Sequence, residues 1–114
     1  MTIDNHNDKK MIADTAVPKL RARITATIPT LGRPTIQASQ QWWLLGTSNC
    51  HLCEVAEQLI KRLQAVVPIT YQYVDIADFD EDLMMQFATV IPVVLTPTQC
   101  LNYPFSVMDL QQLL

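Results

Sequence analysis

The sequence predicts an α/β fold: a four-stranded mixed sheet flanked by helices, with element order β-α-β-α-β-β-α. Three observations carry this prediction. An apolar run at 41–45 ends in a polar loop and is followed by a helical apolar stripe from Leu52 to Leu63. A second run, 69–76, is β-branched and aromatic, and follows closely enough to complete a parallel, right-handed βαβ unit. After a short helix with an acidic start, Pro92 opens a third strand and Ser106 caps a final helix.

The elements follow in order. Gln41-Trp42-Trp43-Leu44-Leu45 reads as a buried strand, with Trp42 and Trp43 pointing to opposite faces. Gly46-Thr47-Ser48-Asn49 is the loop, and Ser48 or Asn49 is the expected N-cap of the next helix. Leu52, Val55, Ala56, Leu59, Ile60 and Leu63 form one apolar face of that helix. Glu57 and Lys61 are spaced for an i,i+4 ion pair on the other face, and Pro68 marks the stop. Ile69 to Ile76 is the second strand. Asp78, Asp80, Glu81 and Asp82 load the first turn of a short helix whose apolar face is Leu83, Met84, Phe87 and Ala88. Pro92 lacks a ladder N–H and suits the first position of strand Val93-Val94-Leu95. Pro97-Thr98 turns the chain into a hairpin partner at 99–103. Ser106 with Asp109 makes a capping box, and Phe105 with Leu110 a hydrophobic staple.

Composition bounds the rest. The chain has 114 residues, 49% of them apolar, enough for one domain and one core. No apolar run approaches the roughly 18 to 20 residues of a membrane helix. Net charge is −3, so nucleic acid is not an expected partner. The only glycines are Gly32 and Gly46, too few for the common Gly-rich phosphate loops. Residues 1–39 hold six basic residues against three acidic ones, and 40–114 hold two against eight. Pro18, Pro29 and Pro34 interrupt the first stretch. The reading is therefore a polar, basic, mobile extension at 1–39 and a folded domain at 40–114. The alternation Ile24, Ala26, Ile28 offers an edge strand at 23–28 as a minority alternative. No apolar stretch near the start fits a secretory signal, so the expected compartment is the cytoplasm, where thiols stay reduced.

There are three cysteines, Cys50, Cys53 and Cys100. An odd count argues against a disulfide framework. The Cys50-His51-Leu52-Cys53 spacing places the first cysteine at the helix N-terminus and the second one turn deeper. Unpaired N–H groups and the helix dipole favour a thiolate there, with thiol pKa values in such settings falling to about 3.5–7.5. Cys50 is the candidate nucleophile and Cys53 the residue that resolves the mixed disulfide. A protonated His51 would add a cation and modulate the pair. Other uses of the same residues stay open: half of a zinc site completed from His6, His51 and Cys100, a cluster shared between two chains, or a redox-inactive binding domain. Asp75, at a strand end, reads as an ordinary strand-end residue.

Taken together, Trp42-Trp43-Leu44-Leu45-Gly46-Thr47-Ser48-Asn49-Cys50-His51-Leu52-Cys53, Tyr73-Val74-Asp75-Ile76, Val90-Ile91-Pro92-Val93-Val94 and Tyr103-Pro104-Phe105 resemble a minimal thioredoxin-like fold. The specific resemblance, over about 40–114, is to the glutaredoxin-like family. It implies a thiol–disulfide oxidoreductase. It also implies that Pro92 is a cis-proline facing the cysteines, with Ile91 and Pro92 shaping a substrate groove in which the backbone of Ile91 pairs with the substrate chain. Typical members carry Cys-Pro-Tyr-Cys and a Gly-Gly turn followed by an Asp for glutathione. Here the site is Cys-His-Leu-Cys and the later stretch reads Cys100-Leu101-Asn102-Tyr103-Pro104-Phe105-Ser106. No resident cofactor or metal is expected, and glutathione as co-substrate is left open. The expected partners are protein or small-molecule disulfides and a thiol reductant or reductase, with a monomeric chain and neither nucleic acid nor membrane. The alternatives are an adaptor domain on the same fold and a metal or iron–sulfur carrier.

Overall fold

A computed structural model describes residues 13–32 and 41–114. Four strands, β1 (Trp42–Gly46), β2 (Tyr71–Asp75), β3 (Val93–Leu95) and β4 (Cys100–Asn102), form one sheet in the order β2-β1-β3-β4. β1 runs parallel to β2 and antiparallel to β3, and β3 runs antiparallel to β4. Among the described residues the α-helices are α1 (Val17–Thr27), α2 (His51–Gln64), α3 (Glu81–Phe87) and α4 (Val107–Gln111). Among the described residues no helix is long and apolar enough to cross a membrane.

The period of two along β1 decides the layering. Trp43 and Leu45 join Val93 and Leu95 in the core under α1 and α3, where Val17, Ile24, Leu83 and Phe87 meet them. Trp42 and Leu44 join Val94 and Leu101 on the opposite face, under α2 and α4, with Ala56, Ile60, Leu63 and Leu110. The sheet is therefore buried on both faces, as the paired tryptophans required. The arrangement is compatible with a minimal thioredoxin-like fold.

Local signals act as expected at the last helix. Ser106 Oγ accepts from the Asp109 N–H at 3.1 Å, and Asp109 Oδ2 accepts from the Ser106 N–H at 2.9 Å. Phe105 and Leu110 are both buried in the same cluster. α3 starts one residue after Asp80, whose side chain caps the Leu83 N–H at 2.8 Å. Ala88, expected on its apolar face, is exposed.

Residues 13–32 depart from the sequence reading. They contain a helix packed on the core where an extension outside the folded domain was expected, and 23–28 fall in and just after that helix instead of adding an edge strand. Pro18 stands in its first turn, where the missing N–H has no intrahelical partner to lose. Val17 and Ile24 are fully buried. Arg21 lies over the Trp43 ring, 3.9 Å from its centroid. It donates to the carbonyls of Leu95 at 3.2 Å and Gln41 at 2.9 Å. Burial lowers its pKa to about 10, so it is still a cation at neutral pH where it meets the ring. The rest of the expected extension, 1–12 and 33–40, lies outside the described residues.

Candidate functional site

β1 ends at Gly46, and the next residues turn the chain into α2. Asn49 takes a left-handed backbone, φ 60°, which asparagine tolerates better than most residues. The N-cap is consequently Cys50 itself, not Ser48 or Asn49. Its Sγ accepts from the Cys53 N–H at 3.2 Å. That N–H is one of the orphan donors of the helix start.

Cys50 and Cys53 are joined as a disulfide, with Cα atoms 5.2 Å apart. The two sulfurs differ in access. Cys50 is half-buried at the surface, whereas Cys53 is 0% exposed. Cys53, Ala56, Ile60 and Leu63 form the buried stripe of α2, so the second cysteine belongs to the core face. Leu52, expected in that stripe, is instead 47% exposed beside the disulfide.

The loop is braced from β2. Tyr73 donates its hydroxyl to the Thr47 carbonyl at 3.0 Å, and the Thr47 hydroxyl donates to Asp75 Oδ1 at 3.0 Å. The same Asp75 oxygen accepts from the Ala77 N–H at 2.9 Å. Asp75 is thus a loop brace and a cap. Gly46 lies beneath this arrangement. A Cβ there would stand 3.0 Å from Cys53 Sγ and 2.8 Å from Tyr73 Cζ. Relief would require Tyr73 to leave Thr47. Gly46→Ala is therefore expected to cost about 1–3 kcal/mol by overpacking, read as a lower urea midpoint at unchanged slope. A change below a few tenths of a kcal/mol would show that Tyr73 moves aside freely.

A groove of about 420 Å³ opens beside Cys50, with Thr47 and Tyr73 on its wall. Glu54, Glu57, Asp75 and Asp78 also line it. Glu57 accepts from the Tyr71 hydroxyl at 2.7 Å instead of pairing with Lys61. Burial, and then that bond and the charge of Glu57, raise the Tyr71 hydroxyl to about 12. Tyr73 is also raised, first by burial and then by Asp75 and Glu57. Sequence reading missed this acidic wall, although Cys50, Glu54 and Glu57 share helical spacing i, i+4, i+7.

The remaining candidates lie around the same end of the sheet. The Ile91–Pro92 bond is cis, as the resemblance implies. Leu45 pairs with Val93, so Pro92 falls level with Gly46, at the Cys50 end. The Ile91 N–H donates to the Phe87 carbonyl at 3.0 Å and is thus used within the fold. His51 is the first residue of α2, next to Cys50. Its Nδ1 is 3.8 Å from Glu54 Oε2, and both side chains are largely exposed. Cys100 pairs with Leu95, at the far end of the sheet, and is buried. His6 lies outside the described residues. Among the described residues no group of three or more His, Cys, Asp or Glu side chains is placed to hold a metal ion.

Comparison with family models decides the relationship. The model described as Glutaredoxin-like domain (DUF836) matches residues 41–114. The chain belongs to this glutaredoxin-like family. The match begins just before β1 and takes in the whole sheet, the cysteine pair and Pro92. No curated protein and no solved structure matches the chain. Within this glutaredoxin-like domain, α1 stands outside the matched residues yet fills one face of the matched core.

Proposed function

We propose that this glutaredoxin-like protein is a thiol–disulfide oxidoreductase working through Cys50 and Cys53. The observation that carries the reading is the unequal access of two sulfurs at one helix start. Cys50 is at the surface and its Sγ faces a backbone N–H, while Cys53 is in the core directly behind it. In the reduced protein the Cys50 thiolate attacks one sulfur of a substrate disulfide and expels the other as a thiolate, which takes up a proton. Cys53 then gives up its proton and attacks Cys50 Sγ, releasing the second substrate thiol. Two electrons pass to the substrate, and the protein is left with the Cys50–Cys53 disulfide. A cellular thiol or reductase restores the dithiol. The reading assigns substrate binding to Ile91 and Pro92, which do not line the acidic groove but stand at the same end of the sheet, and the protein to the cytoplasm, where such reductants are present.

Cys53→Ser tests it. The reduced full-length variant, mixed with 2-hydroxyethyl disulfide, is expected to accumulate one mercaptoethanol adduct on Cys50, located by peptide mass. The unchanged protein is expected to go on to its internal disulfide. No adduct, or an adduct on Cys100, would overturn the reading.

A further inference from the structure

We propose, resting on the oxidoreductase reading, that the groove beside Cys50 selects cationic disulfides. A disulfide flanked by ammonium or guanidinium groups is the preferred substrate, and an anionic one such as oxidised glutathione is disfavoured. The groove is built from the nucleophile outward. It opens on Cys50, and Glu54, Glu57, Asp75 and Asp78 line it with no lysine or arginine among the lining residues.

Two of these carboxylates accept from neutral donors, which leave their charge in place. Glu57 accepts from the Tyr71 hydroxyl, and Asp75 from the Thr47 hydroxyl and the Ala77 N–H. Glu54 faces only the His51 imidazole, at 3.8 Å in solvent. The basic residues of α2, Lys61 and Arg62, lie in its last turn. Lys61 is one turn beyond Glu57, whose carboxylate bonds Tyr71 instead, and stands eleven positions from Cys50, about 16 Å along a helix axis and beyond the Debye length of about 8 Å at physiological salt. The fields also converge. Asp75, Glu57 and Glu54 all raise the Tyr73 hydroxyl on the groove wall, after burial itself. A substrate disulfide must approach Cys50 through this field. Like charge repels it and opposite charge concentrates it.

The electron balance is that of the exchange described above: the dithiol loses two electrons, and one substrate disulfide becomes two thiols. The test is single-turnover oxidation of the pre-reduced full-length protein by cystamine, neutral 2-hydroxyethyl disulfide and oxidised glutathione. Each rate is divided by the rate of the same disulfide with free dithiothreitol, which removes intrinsic reactivity. Cystamine is expected to exceed oxidised glutathione by at least about tenfold at low salt. The ratio should collapse to within about threefold at 1 M salt, where the Debye length is about 3 Å. The double substitution Glu54→Gln with Glu57→Gln should compress the low-salt ratio in the same direction. A lysine-flanked peptide disulfide faster than cystamine would place the substrate among polypeptides, and the reverse among small amines. A flat order, or one favouring glutathione, overturns the selectivity and leaves the oxidoreductase reading standing. Failure to react with any of the disulfides sinks both.

Discussion

Cys50→Ser is expected to abolish disulfide exchange. The second-order rate with a small disulfide should fall by at least about three orders of magnitude, because a serine hydroxyl is not ionised at neutral pH and the thiolate is the attacking species. Neither remaining cysteine can replace it. Cys53 is 0% exposed, and its sulfur is enclosed near Gly46 and Tyr73. Cys100 is buried at the opposite end of the sheet. Cys100→Ser is accordingly the control, with a rate close to that of the unchanged protein. Stopped-flow kinetics on the reduced proteins reads both. A Cys50→Ser rate within tenfold of the parent would mean that another group carries the chemistry.

Trp43→Ala is expected to cost about 3–5 kcal/mol, the range for emptying a large aromatic site in a core. That is comparable with the whole stability of a small domain, about 5–15 kcal/mol, so the variant should be partly unfolded near body temperature. Trp43 is 2% exposed and sits between the α1 and α3 layer and the sheet. Its loss also removes the face on which the Arg21 guanidinium rests. Trp43→Phe should cost clearly less. It keeps an aromatic face and removes the indole Nε1–H, which is buried with no hydrogen-bond partner among the described residues. Urea denaturation of the three proteins gives the order. A cost below about 1 kcal/mol for the alanine variant would contradict a close-packed core at this position.

Short-range patterns made most of the fold legible. The two tryptophans side by side in an apolar run required a sheet buried on both faces, and β1 is that strand. Ser106 and Asp109 announced the last helix within four residues of sequence. The helix at 17–27 was missed although Val17, Leu20, Ile24 and Ile28 recur at i, i+3, i+7 and i+11 and all meet the core, because the prolines and basic residues around them mask the period and the buried Arg21 breaks the stripe. Arg21 is buried because Trp43 and two carbonyls, distant in sequence, receive it. At the site, the cysteines and Pro92 could be found from spacing. The unequal access of the sulfurs could not. Asn49 turning left-handed moved the helix start to Cys50, so that the stripe runs through Cys53 and Leu52 faces solvent. The acidic groove joins two carboxylates from α2 with two from the end of β2 and the turn after it, and only the parallel pairing of β1 and β2 brings them together.

The packing of α1 has a consequence for what is counted as the inherited unit. The family match starts at residue 41, but the folded body starts earlier. Kinship and cohesion draw different borders here. A chain cut at the border of kinship would carry the cysteine pair intact and would wet the indole face of β1, turning an interior wall into a sticky exterior. In this chain α1 is what clothes that wall, so residues ahead of the matched segment complete the core that the matched segment begins.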